Sequence, residues 1–427
     1  MELYYSFSLL IVLASFFAFL NLRYLKLPST IGIMIIAMIT SILLVITGHM
    51  WPKLFGRFVG ILEQVDFTEV LMGAMLNFLL FAGAIHINLS DLREQRTPII
   101  IFSTISVIIS TFVVGALLFY TCQLLGLNIP FIYCLLFGAL ISPTDPIAVI
   151  GILKEAKVRK SLETKVAGES LFNDGVAVVV FAVILKLTQG SDVDMSFTGI
   201  SWLLIKEALG GFALGMGLGI GASKAISKID DYKVSVLITL SVVMGGYLIA
   251  RALHISGPLT MVAAGIVLGN FSKKSVMSET TNDYLHKFWE LIDDIMNAIL
   301  FLFIGFELLI IKDITDNWLL GLIAIVIVLV ARFISVYLPV KLLPLRNRFT
   351  PGTIKLLVWG GLRGGVSIAL ALSIDNGPYK STLLSITYFV VVFSIIVQGL
   401  SIGKVAQKVL EKDTEEAEIE PIIHKRH

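Results

Sequence analysis

Apolar residues fall in long unbroken runs, and the polar positions gather between the runs rather than alternating with them. Runs of roughly 18 residues or more are long enough to cross a bilayer as helices. Thirteen spans are expected, near residues 3–22, 29–48, 67–87, 98–126, 130–152, 166–188, 199–223, 233–253, 257–270, 288–311, 317–342, 353–374 and 382–405. A transmembrane barrel would instead show ~10-residue alternating segments. The chain is therefore expected to be an all-α polytopic membrane protein. It forms one transmembrane unit over residues 1–408, followed by a short charged tail, 409–427. The stretch 52–66 is a candidate interfacial piece.

Two spans are interrupted. The fifth carries "SPTDP", Ser142 to Pro146, and the twelfth carries "WGGLRGG", Trp359 to Gly365. Proline and glycine in mid-span break helices. Backbone broken at membrane depth must line a cavity or be buried in protein. The breaks stand at corresponding places in spans 1–6 and 8–13, joined by span 7. That placement points to two inverted six-helix repeats, and broken helices of this kind often mark the substrate site of a secondary transporter.

Composition adds the lipid environment. The 427 residues are 56% hydrophobic and 15% charged, against about 25% charged in soluble domains. The net charge of +2 gives no reason to expect a nucleic-acid partner. Cys122 and Cys134 both lie in apolar runs and read as reduced core residues. The N-terminus has no basic region before its first apolar run and reads as a spanning helix. With the N-terminus outside, seventeen basic residues fall in inside loops and four in outside loops. The positive-inside rule then places the C-terminus in the cytoplasm.

Charged side chains inside a bilayer are expensive and usually face a cavity or each other. Asp145, Glu169, Asp174, Arg332 and Arg363 all fall in or at the start of predicted spans. In "ESLFNDGVAVVVF", Glu169 and Asn173 are four residues apart on one helical stripe, and Ser170 and Asp174 on the next. A hydroxyl beside a carboxylate suits a hard monovalent cation. In "SPTDP" the prolines leave free carbonyls near Thr144 and Asp145, which also suits a cation. Arg363 could neutralise the partial charge of a helix C-terminus at the break. An ion pair between Glu169 and Arg332 could be architectural only. His86 and His254 lie near span ends and read as interfacial or hydrogen-bonded rather than as ligands, Asp293 and Asp294 read as a solvated vestibule position near the cytosolic face, and Glu307 reads as sitting near the outer end of its span. The glycine-rich run Gly210 to Ser223 reads as a close-packing face, with a dimer interface as one use of it.

Four motifs in this order, "SPTDPIAV", "ESLFNDGVAVVVF", "FWELIDDIMNAILFLFIGFELL" and "WGGLRGGVSIALALS", resemble the NhaP-type sodium/proton antiporters of the cation/proton antiporter superfamily. The resemblance runs from about residue 5 to 408. It implies a mobile core of spans 4–6 and 11–13 moving against a dimerisation part in a homodimer. By the same resemblance, Asp174 carries the ion and the proton. Asp145, Thr144 and Ser170 complete the Na⁺ site. Asn173 stands where electrogenic relatives have a second aspartate. Glu169 is braced against Asn173 and an arginine, here Arg332, and Arg363 is the arginine of the second broken helix. The chain departs from many relatives in "FAGAIHINL", where Ala82 replaces a glutamate of the third span.

The expected activity is exchange of Na⁺ or Li⁺ for H⁺ by alternating access, in the service of pH homeostasis. With one mobile carboxylate the exchange is 1:1 and electroneutral. Beyond the transported ions no cofactor is expected, and no enzymatic activity. The expected location is a prokaryotic inner membrane. K⁺/H⁺ exchange on the same fold is the nearest alternative. A channel or an intramembrane aspartyl protease is the alternative from another class, and the Gly-x-Gly-Asp pattern of such proteases is missing.

Overall fold

The computed structural model describes residues 2–48, 52, 56, 60, 70–145, 149–150, 160–189, 196–229, 231–271, 278–309, 311, 314–343, 349 and 351–409. Helices account for nearly all of them. The elements are α1 (Glu2–Leu20), α2 (Ser29–Gly48), α3 (Leu76–Ile85), the short α4 (Leu89–Glu94), α5 (Arg96–Leu124), α6 (Phe131–Leu140), α7 (Lys160–Thr188), α8 (Phe197–Ile226), α9 (Tyr232–Ala252), α10 (Gly257–Phe271), α11 (Glu279–Glu307), α12 (Trp318–Leu342), α13 (Pro351–Trp359), α14 (Gly365–Leu372) and α15 (Lys380–Phe393). Wider π-helical turns follow α1, precede α3 and follow α15.

Among the described residues, eight helices are long and apolar enough to cross a membrane, and no strand is present. Each of the thirteen expected spans coincides with a helix or a helix pair. The largest boundary differences are at α7 and α11, which begin six and nine residues before the expected spans. Their first turns are polar, so hydropathy misses them. Residues 52–66, the basic residues of 151–159, the acidic loop 190–195 and the tail beyond 409 lie largely outside the described residues.

Side chains of the loops start several helices. Asn88 caps α4, Ser196 caps α8, Asp231 caps α9 and Ser278 caps α11, each accepting from backbone N–H groups of the first turn. Helix packing then relies on small residues and single hydroxyls, as expected where lipid supplies no hydrophobic drive between helices. Gly211, Gly215 and Gly219 bring α8 against the backbone and small side chains of α10. The close-packing reading of that glycine run therefore holds within the chain, while Gly217 and Gly221 face open space. The Ser106 hydroxyl donates to the Ser335 carbonyl at 2.6 Å, tying α5 to α12. The Ser41 hydroxyl donates to the Gly305 carbonyl at 2.9 Å, tying α2 to α11. Cys122 and Cys134 are free thiols buried in the core.

Two breaks meet in the middle of the bundle. Helix α6 ends at Leu140, and the chain runs extended through Pro143, which has no N–H to give. Helix α13 ends at Trp359, and α14 begins only at Gly365. The extended pieces cross: the Asp145 N–H donates to the Leu362 carbonyl at 2.8 Å, in an isolated antiparallel bridge.

Candidate ion site at the helix crossing

The sequence-predicted site residues converge on this crossing from three directions. Helix α7 delivers Glu169, Ser170, Asn173 and Asp174; the first break delivers Thr144 and Asp145; the second delivers Arg363. Helix α12 adds Arg332 from behind. All are buried except Asp145, which is half-buried. Asp174 is 8% exposed.

The break at Thr144 leaves backbone groups unpaired, and α7 satisfies them. The Asn173 amide donates to Thr144 Oγ1 at 2.8 Å, while its carbonyl oxygen accepts the Thr144 N–H at 3.3 Å. The Ser170 hydroxyl donates to the Thr144 carbonyl. Asn173 thus braces the break rather than Glu169. Ser170 offers its remaining lone pairs, not a free hydroxyl, to the cavity.

Arg363 answers the end of α6. Its Nη1 donates to the carbonyls of Ser142 at 2.6 Å and Pro143 at 2.9 Å. The guanidinium therefore sits on the negative end of the half-helix, as anticipated. Those carbonyls are then occupied, so they are poor candidates for cation ligands. Sequence reasoning missed what holds Arg363 in place. Its N–H donates to Ser394 Oγ at 2.8 Å, Ser394 donates to Gln398 Oε1 at 2.7 Å, and Gln398 donates to the Trp359 carbonyl at 3.0 Å. Ser394 and Gln398 bound the π-helical turn after α15, whose extra width aims both inward.

Behind the crossing, Arg332 Nη1 stands 2.6 Å from Glu169 Oε1, off the line of a hydrogen bond but in full charge contact. Nε and Nη2 of Arg332 also donate to the Leu357 carbonyl at 3.3 and 3.0 Å.

A cavity of about 830 Å³ reaches the crossing. Thr144, Asp145, Asp174, Gly364 and Ser367 line its inner part, with Asp293, Asp294 and Asn297 of α11 along the wall. Toward its mouth stand Asp91, Lys160, Glu163, His86 and Lys287. Asp293 and Asp294 thus take the vestibule position expected of them. His86 is hydrogen-bonded to His286, Nδ1 to Nδ1, at 3.2 Å. Ala82 is buried in an apolar cluster with Phe81 and Trp289 and is not among the lining residues; its neighbour Gly83 is. Glu307, expected to be interfacial, is instead 1% exposed.

This arrangement can coordinate a dehydrated monovalent cation with two carboxylates and uncharged oxygens, or hold a proton in its place. A family pattern described as "Sodium/hydrogen exchanger, transmembrane" matches residues 11–408. The chain belongs to the sodium/hydrogen exchanger family. It is an integral membrane protein of a transporter family, not an enzyme. It is 48% identical over 408 residues to the Na(+)/H(+) antiporter NhaP of Pseudomonas aeruginosa, covering 93% of this chain and 95% of that relative. It is 35% identical over 357 residues to the Na(+)/H(+) antiporter NhaH of Halobacillus aidingensis, covering 82% and 85%. In fold it is similar to the sodium proton antiporter MjNhaP1 from Methanocaldococcus jannaschii at pH 8, with a TM-score of 0.76 at 22% identity, over 96% of this chain and all of that one.

Gly364 leaves room for the Asp145 carboxylate at the crossing. A Cβ on Gly364 would fall inside van der Waals contact with Asp145 Oδ2. Gly364→Ala is expected to displace that carboxylate while the protein still folds, because both groups border the cavity. The apparent KM for Na⁺ should rise about 10-fold, on the scale of one charge-assisted contact. Cation-driven fluorescence quenching in membrane vesicles checks this, and an unchanged KM would speak against a ligand role for Asp145.

Proposed function

We propose that the chain exchanges Na⁺ or Li⁺ for H⁺, one for one, by alternating access of the site at the helix crossing. One observation carries the reading: Asp174 and Asp145 lie within electrostatic reach of each other at the inner end of the cavity, in a member of this family. Five charged side chains meet there. Asp145, Asp174 and Glu169 are acidic, and Arg332 and Arg363 are basic, which leaves one net negative charge. Either Na⁺ or H⁺ brings the set to neutrality. An empty site would drag an uncompensated charge through a low-dielectric barrier, which is expensive. Only loaded forms then cross, and exchange is obligatory. Asn173 contributes no charge, since a carboxamide is neutral, and its amide is engaged with Thr144.

In this reading Asp174 exchanges the proton for the cation, and Asp145, Thr144 and Ser170 complete the ligand set. Asn173, Glu169, Arg332 and Arg363 hold the frame. The core of spans 4–6 and 11–13 moves against the remaining helices, which also join two copies into a homodimer. The open face of α8 at Gly217 and Gly221 offers a surface for close approach. The host membrane is a prokaryotic inner membrane, with the N-terminus outside. The cavity then opens to the cytoplasm, a placement supported by Lys160 and Lys287 at its mouth.

The test is an internal pH dye in proteoliposomes given external Na⁺, Li⁺ or K⁺ at two clamped potentials. Na⁺ and Li⁺ should alkalinise the interior to the same end point at both potentials. A step moving one net charge would instead shift the end point by about 2.3 kcal/mol per 100 mV. A response to K⁺ alone would move the assignment to K⁺/H⁺ exchange.

A further inference from the structure

The cavity that reaches the crossing is lined by no residue of α15 and by none of α11 beyond Leu300. Past that point on α11 stands an acid that the site does not use. Glu307 ends α11, is 1% exposed, and neither carboxyl oxygen has a hydrogen-bond partner among the described residues. Tyr388 of α15 is buried as well, its hydroxyl is also without a partner, and it lies within electrostatic reach of Glu307.

Among the described residues no salt bridge reaches Glu307. Helices α2 and α14 contain no titratable residue, and on α15 the only ones are Tyr388 and Lys380, which starts that helix. The other acids of α11, from Glu279 to Asp294, stand three or more turns away toward the cavity mouth. Nor is Glu307 poorly anchored. Its helix is clamped to α2 two residues earlier, where Gly305 touches Met34 and Ala37 and its carbonyl accepts from Ser41.

A buried carboxyl and a buried phenol left without partners are costly. An ionisable group at membrane depth is by default a functional one. A third such oxygen borders the ion site: Ser367 of α14 lines the cavity, and its hydroxyl is buried with no hydrogen-bond partner among the described residues. Helix α14 packs along α15, which carries Tyr388, and Tyr388 is within electrostatic reach of Glu307.

We propose that Glu307 and Tyr388 form a second ion station, on the route by which the site at Asp174 communicates with the face opposite the cavity. In the conformation described here its oxygens have no hydrogen-bond partner among the described residues. In the alternate conformation the cavity-side route closes, and the carboxyl and phenol oxygens hold the cation or proton in transit. The proposal rests on the exchange reading and adds a sidedness to it.

Glu307→Gln and Tyr388→Phe keep the side-chain volumes and remove the acid or the hydroxyl. Exchange is measured with Na⁺ presented to one face at a time, in right-side-out and inside-out membrane vesicles. Either variant should raise the apparent KM for Na⁺ about 10-fold at the face opposite the cavity, the loss of one hydrogen bond to a charge. At the cavity face it should change less than about 2-fold. Equal changes at both faces, or none at either, overturn the proposal. If Glu307→Gln is not recovered as folded protein by gel filtration, Tyr388→Phe decides alone. Absence of Na⁺-driven proton movement in the unmutated protein at both faces would instead sink the exchange reading itself.

Discussion

Asp174→Asn should reduce exchange by about 100-fold or more, the scale on which removal of an essential proton-transfer group acts. The substitution is nearly isosteric and the residue borders a cavity, so the fold should survive. Its effect on the charge balance is specific. With asparagine the five-residue set is neutral before any ion arrives. The empty site then resembles the proton-loaded one and can reorient freely, but it has no proton to give up and no full charge to hold Na⁺. Two measurements separate this from damage to the protein. Exchange in proteoliposomes should be lost at every pH and at both faces. The rise in unfolding temperature that Na⁺ gives the unmutated protein, by binding only the folded state, should be lost as well, with the ion-free unfolding temperature kept. Exchange that survives in Asp174→Asn would remove this residue from the mechanism.

The sequence shows the spans clearly because each is a single apolar run whose length the bilayer dictates. The two breaks are equally plain, since Pro143 and the glycines from Gly360 to Gly365 cannot continue a helix in lipid without a reason. From those breaks and the rare charges, the residues of the site could be assembled before any geometry was known. The division of labour among them could not. Whether the Ser142 and Pro143 carbonyls face an ion or Arg363 depends on how the two helix breaks cross, and the Leu362 bridge sets that crossing. Asn173 was readable as a helical neighbour of Glu169, yet its partner is Thr144, in the first break and 29 residues away. The bracing of Arg363 by Ser394 and Gln398 depends on a π-helical turn that no apolar run reveals. Glu307 misleads for a related reason. An acid at the end of a span reads as interfacial, and only the tertiary packing of α2, α11 and α15 buries it.

Arg332→Met should destabilise the protein by about 3–5 kcal/mol, the cost of leaving one partner of a buried ion pair unpaired. Glu169 would then be a lone carboxylate, buried against α12 with no other cation contacting it at the 2.6 Å that Arg332 now provides. Replacing both partners removes the charges together, and hydrophobic replacements of similar volume for a buried pair are often neutral or better. The double variant Glu169→Gln with Arg332→Met should therefore recover most of the lost unfolding temperature in detergent. Its exchange rate should not recover fully. Arg332 also donates to the Leu357 carbonyl, in the last turn before the second break, and packs against Gly361, where a Cβ would collide with its guanidinium. The same side chain thus anchors α7 and fixes the angle at which α13 enters the crossing. Methionine keeps the first role through packing but has no donor for the second. A double variant that regains stability while running severalfold slower would assign the pair a positioning role at the ion site. Full recovery of both would reduce it to architecture.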